Sequence, residues 1–404
     1  MKIWKNKKYK VIVVGVVVLL LLVILYQFIK PATYPVLFTE EQQENFVNEV
    51  NEIGVDPTYF VLNKFNNHDY VFLGETHRVK QDISFVVDLI PELHKNGINI
   101  LVLELLEFKD QDKVDQLLLG AKYDNDLARM LFAQCNDRWP YQEYLDILKT
   151  AWQQNQSLED GQKAFRIIAM NPTYNIEKIN YGTDEEKTEE RQLISQGDQF
   201  MANVIIEELI PTNEKALIYS GIHHAFTHFY WNPDFKRAGN YVYDLVGDRA
   251  CTISFYYPFV DTAEKNAIVP FDGLIELTYD KIGEPYALDL ANSSLGSFQI
   301  QNTHYNEAYI NRDGQTNHFI NHPELQAKEM YHGLIVLSPL TEFEGPTIIK
   351  DWLDTPDMQE LIQRRWYQDR EWDEDMYFQS AKDESNWKQL FQRWMIDEWK
   401  GLFE

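Results

Sequence analysis

Two short stretches place an imidazole three residues beyond a glycine: Gly74-Glu75-Thr76-His77 and Gly221-Ile222-His223-His224. Each follows a short apolar run, Val71-Phe72-Leu73 in the first case and Leu217-Ile218-Tyr219 in the second. Two further apolar runs end on polar groups, Leu101-Val102-Leu103 on Glu104 and the run at 164–170 on Asn171. An imidazole exchanges protons near neutral pH, and a carboxylate beside it fixes the ring and its tautomer. One such histidine would most often be structural; two imidazole sites and two carboxylates at successive strand ends favour a functional cleft. His77, Glu104 and His224 could also hold a divalent metal with one position open to water, although their spacing fits no compact motif such as His-Glu-x-x-His. A Gly-x-Ser-x-Gly elbow is absent from the sequence, so no serine nucleophile is expected, and Ser220 reads as a strand-end residue.

Such residues converge only if the strands that carry them lie side by side. Apolar runs at 70–73, 98–103, 164–170, 216–219 and 251–256 read as strands, the fifth closing the set. Helical patterns fill 81–95, 110–155 and about 191–210, and the polar stretch at 184–190 reads as an insertion. Before the first strand, Thr39-Glu40-Glu41-Gln42 is a capping box opening a helix with Phe46, Val47, Val50 and Ile53 on one face. The alternation predicts an α/β domain, a mainly parallel sheet with helices on both faces, whose ligands bind at the carboxyl ends of the strands.

Composition bounds the rest. The chain has 404 residues and a formal charge of −26, while residues 1–30 hold six lysines and no acid. An acidic body repels nucleic acid and anionic lipid, and neither is expected as its partner. Cys135 and Cys251 could form one disulfide but no framework. Residues 11–29 are apolar except for Gly15, Tyr26 and Gln27, and as a helix they would span about 28 Å, enough to cross a bilayer. A cleaved signal peptide would end in small residues, whereas Tyr26-Gln27-Phe28-Ile29-Lys30-Pro31 follows here. The expectation is a single-pass protein held in the lipid bilayer by 11–29, its lysine-rich N-terminus cytoplasmic and its body outside. After about residue 257 the strand–helix alternation lapses into an α-rich extension, acidic and Trp-rich at its end. There Trp387, Leu390, Phe391 and Trp394 recur at helical spacing and predict a docked helix, or a partner surface. His304, His318, His322 and His332 match no metal motif. The chain thus divides into 1–30 (basic segment and anchor), 31–59 (linker and leading helix), 60–257 (the α/β domain) and 258–404 (the extension).

The two Gly-x-x-His motifs and the glutamate after Leu101-Val102-Leu103 resemble a superfamily that includes ChaN-like haem-uptake proteins, erythromycin esterases and TraB/Tiki proteins. Arg138-Trp139-Pro140-Tyr141 and Gly197-Asp198-Gln199-Phe200-Met201-Ala202-Asn203 are most similar to the ChaN-like branch. The resemblance covers about residues 60–257 and implies site roles for Glu75, His77, Glu104 and His224, with His224 ahead of His223. Esterase-like members place an arginine where this chain has Gly197, leaving Arg78 and Arg191 as candidate cations, and Asn171 is a further candidate. Some members hydrolyse esters, some are metal-dependent peptidases and some bind haem. The expectation is an extracytoplasmic hydrolase of an ester or peptide bond, metal-assisted or not, with His77 as base oriented by Glu75 or Glu104 and His224 as donor. The alternative is a protein that binds haem or another cofactor without catalysis. In both cases the ligand is a small molecule or peptide.

Overall fold

The computed structural model describes residues 38–230, 234–261, 266–298, 325–366 and 372–394. The expected anchor at 11–29 lies outside these residues, as do His304, His318 and His322. Among the described residues no helix is long and apolar enough to cross a membrane.

The strands are β1 (Tyr70–Glu75), β2 (Ile100–Glu107), β3 (Arg166–Asn171), β4 (Ala216–Gly221), β5 (Ala250–Phe255), β6 (Phe259–Asp261), β7 (Asn266–Ile268), β8 (Tyr286–Asp289) and β9 (Gly333–Val336). Seven form one sheet in the order β3-β2-β4-β1-β5-β9-β8, and β6 pairs with β7 in a separate ribbon. All neighbours in the large sheet are parallel except β8 and β9. Side chains alternate between its faces, as strand geometry requires. Tyr70, Phe72, Ile100, Val102, Ala216 and Ile218 face one core with the helices Glu40–Ile53, Gly197–Leu209 and Ala238–Val246. Val71, Leu73, Leu101, Leu103, Leu217 and Tyr219 face the other, with the helices Lys80–Lys95, Asn125–Cys135 and Gln142–Gln156. A sheet covered on both sides needs apolar residues at nearly every position, which is why these strands read as unbroken apolar runs.

Several sequence expectations require correction. The fifth strand does not close the set, because β9 and β8, from beyond residue 257, extend the sheet past β5. The leading segment joins the same fold: Val55 bridges to Ala287 in β8. β2 does not end on Glu104 but runs to Glu107, with a register shift against β3 after Leu103. The polar stretch from 184 is the helix Asp184–Ser195, opened by a capping box of Thr183 and Glu186. A second helix, Gly197–Leu209, starts beyond Gln196, so the single helix expected over 191–210 is two. Cys135 and Cys251 are both free. The Thr39–Gln42 capping box and the docking of Trp387 and Leu390 into the core are as expected.

Candidate functional site

β1 and β4 are adjacent and parallel, with Gly74 opposite Ser220 and Glu75 opposite Gly221. This register sets the two Gly-x-x-His motifs side by side, and each glycine is the seat of the other motif. A Cβ on Gly74 would stand 2.3 Å from Ile222 Cδ1 and 2.9 Å from its Cα. A Cβ on Gly221 would stand 2.9 Å from His77 Nε2 and 3.5 Å from Glu104 Oε2. Neither glycine is a conformational requirement, since Gly221 has φ −53 and Gly74 is absent from the positive-φ residues. Both are there for close approach.

Glu75, at the end of β1, is almost wholly buried (1% exposed). Its carboxylate accepts from Tyr144 Oη (3.1 Å) and from Tyr219 Oη, and its Oε1 lies 2.7 Å from His77 Nδ1. A carboxylate can only accept, so Nδ1 carries the proton and Nε2 faces the cleft. Trp139 lies against the His77 ring (5.2 Å between centroids) and stacks on Tyr144. Burial opposes charge on His77, but the hydrogen bond and charge of Glu75 and the charge of Glu104 outweigh it, and the imidazole pKa is raised.

The second imidazole is held in the same way. His224 Nδ1 is 2.7 Å from Asp198 Oδ1, while Nε2 is 3.6 Å from Glu104 Oε1, an ion-pair distance rather than a hydrogen bond. Asp198 also accepts from the backbone N–H of Ala238 (2.8 Å) and from Arg237 (3.2 Å). Burial pushes the Asp198 carboxyl up, but His224 and Arg237 prevail and its pKa is lowered. His224 is raised, burial being outweighed by Glu104 and Asp198. Glu104 sits where the β2–β4 ladder stops, after Leu103 and Tyr219, and its Oε2 accepts from the Gly221 N–H at 2.6 Å. Both histidines therefore feel the charge of Glu104, each with its Nδ1 tied to another carboxylate.

Glu75, His77, Glu104 and His224 are thus brought together. The remaining candidates are not. His223 is exposed, with its ring near Phe226. Asn171 donates to Cys135 Sγ (2.7 Å) rather than to either histidine. Arg191 is exposed on its helix, and Arg78 donates to Glu384 and lies over Trp139. Neither pairs with Asp198; Arg237 does, and nothing in the sequence pointed to it. Tyr144 and Tyr219 were also missed, although Tyr219 is two residues before Gly221 and so on the same strand face. Asp82, buried in the first turn of Lys80–Lys95, is a further omission. Burial, and then the charge of Glu75, raises its carboxyl well above the usual range.

His77, Glu104 and His224 share the cleft, but among the described residues no three of His, Cys, Asp and Glu are grouped as a metal ion requires. The fit to haem is also poor here. Haem iron needs an axial ligand with an open approach for a broad flat ring. His77 Nε2 lies against Gly221, and His224 Nε2 is turned to Glu104.

A largely parallel α/β sheet with paired imidazoles and carboxylates over its carboxyl edge is a class found among enzymes and binding proteins alike. Residues 61–176 match the family described as haem-binding uptake, Tiki superfamily, ChaN. The segment contains Glu75, His77, Glu104 and Tyr144; Asp198, Gly221 and His224 lie beyond it. No curated protein matches the chain in sequence. Among solved structures, a Bacillus cereus protein shares the fold, with 13% identity over 76% of this chain and 99% of that one and a TM-score of 0.50. A succinoglycan biosynthesis protein is similar at 10% identity over 74% of this chain and 98% of that one, with a TM-score of 0.49. ChaN of Campylobacter jejuni, described with cofacial haem, is more distant, with 16% identity over 50% of this chain and 86% of that one and a TM-score of 0.29.

Proposed function

We propose that the chain is a hydrolase of ester or peptide bonds, held at the outer face of a membrane by residues 11–29. The observation that carries the chemistry is a pair of carboxylate-bound imidazoles that both feel the charge of Glu104, with His224 at ion-pair distance from it. Glu75 is occupied by two tyrosine hydroxyls and His77, so it orients the ring rather than taking a proton from water. Above its raised pKa, neutral His77 accepts a proton from water at Nε2 while the water oxygen bonds to the carbonyl carbon. The carbonyl π pair moves onto oxygen. When that pair returns, the C–O or C–N bond breaks and the leaving group takes a proton from the His224 imidazolium. Exchange with solvent then removes the proton from His77 and reprotonates His224, since both rings are part-exposed.

Haem capture without catalysis is the second reading, and the superfamily match favours it. Neither imidazole of the cleft suits an axial ligand, so a bound haem would use other residues. One experiment separates the two. The detergent-solubilised chain and its His77→Ala variant are assayed on p-nitrophenyl esters and peptide p-nitroanilides, and both are titrated with haem. Hydrolysis by the parent that falls by about 10²–10⁴ in the variant supports the hydrolase. An inert parent that gives a stable Soret band, unchanged in the variant, supports haem capture.

A further inference from the structure

One hydroxyl at the cleft is unused by the chemistry above. Tyr174 lies in the loop between β3 and the helix Ile176–Tyr181, and both of its neighbours are fixed. Thr173 Oγ1 donates to Glu107 (3.4 Å), and the Asn175 N–H donates to buried Glu190 (3.1 Å). The phenol is thereby laid over Gly197, where a Cβ would stand only 2.4 Å from Tyr174 Oη. Gly197 immediately precedes Asp198, the residue that holds His224. The ionisable groups bearing on the hydroxyl are Asp198, Cys135 and Glu104. Among the described residues the hydroxyl hydrogen-bonds to none, so its proton is available to a ligand.

We propose that Tyr174 is a catalytic residue, the donor to the oxygen that gains charge when a carbonyl substrate is attacked over Glu104. This rests on the hydrolase reading. In the addition step the carbonyl π pair becomes a lone pair on that oxygen, and the phenol O–H donates to it without giving up its proton. Burial first, and then the charges of Asp198, Cys135 and Glu104, push the phenol to about 12, so it stays protonated wherever His77 can act as a base. A donor already in place gains most as the charge develops, so it raises turnover more than it tightens substrate binding.

The test is Tyr174→Phe in the full-length, detergent-solubilised chain, assayed beside His77→Ala on the p-nitrophenyl ester. The expected result is a kcat lower by about 10²–10³, a KM within about twofold of the parent and an unchanged melting temperature. A Tyr174→Phe variant that turns over like the parent, when His77→Ala is inactive, overturns the donor and leaves the hydrolase standing. A parent that hydrolyses nothing overturns both. Gly197→Ala supplies a second arm, since its methyl would displace the hydroxyl. It should lower kcat in the parent and cost nothing further in the Tyr174→Phe background, where there is no hydroxyl to displace. Losses that multiply in the double variant would overturn the assignment.

Discussion

Glu75 carries an unusual load for one carboxylate. Two phenols and an imidazole donate to it inside the protein, and all three lose their acceptor if it is removed. Glu75→Ala should therefore cost about 2–4 kcal/mol in urea unfolding, since buried donors are left unsatisfied. The histidines set the pH response. The folded pKa of both His77 and His224 lies above the ordinary 6.5. Their stabilising contribution is complete below 6.5 and is lost as pH rises through the folded values. Asp198 acts in the opposite direction, stabilising above its ordinary 3.8 and losing that contribution as pH falls through its lowered folded value. Hydrolysis needs His77 neutral and His224 protonated, so both limbs of the pH–rate profile should fall above 6.5. A rate already at its plateau at pH 5.5 would exclude His77 as the base. His77 and His224 were legible in the sequence because a glycine and a strand end mark them. Asp198 stood in the sequence as part of a motif without a stated partner. Arg237 was illegible, since a cation on a loop carries no local signal of the carboxylate it will meet.

At the scale of elements, the two motifs are one joint. Gly74 accepts the turn that carries His224, and Gly221 accepts His77. The two glycines should respond differently to a methyl group. Gly74→Ala meets the Cα of Ile222, which cannot step aside alone, and should cost about 1–3 kcal/mol of stability. Gly221→Ala meets the tip of a partly exposed imidazole, which can swing away, so it should lower turnover while the melting temperature changes little. Equal loss of stability in both would show that His77 cannot move. The strand ends at 75 and 221 were readable because each apolar run stops at a polar group. The end of β2 was misread for the same reason: Glu104 looks like a stop, yet it is a carboxylate that emerges where the ladder to β4 ends while the strand continues to Glu107. The helix from 184 was hidden by its polarity, having only Glu190 buried and drawing on its cap instead.

For the whole molecule, the sheet crosses the boundary drawn at residue 257, and the final helices reach the cleft. Arg78 adopts a left-handed backbone (φ 73), unusual for a residue with a side chain. Its N–H donates to Tyr144 Oη, its carbonyl accepts from Trp387 Nε1 (2.7 Å), and its guanidinium donates to Glu384. Trp387→Phe keeps an aromatic side chain but loses the pyrrole half of the indole and its N–H donor. It should lower turnover on the order of tenfold through the His77 loop, with the fold intact by circular dichroism. The docked helix was legible from its spacing; its reach to Arg78 was not, because contacts across most of the chain leave no local pattern. The membrane arrangement is tested by protease added to intact spheroplasts, which should remove the body and leave a short fragment bearing 11–29.

The bond from Trp387 to Arg78 also bears on when the site exists. The ribosome makes both histidines, Glu104 and Asp198 long before it reaches Trp387. Until then the loop bearing His77 lacks a donor for the Arg78 carbonyl, and Arg78 has no Glu384 to pair with. A chain still on the ribosome, or one clipped before residue 374, carries every group the chemistry uses without the clasp that sets them in place. The site therefore becomes complete only once the last helices have been made and docked.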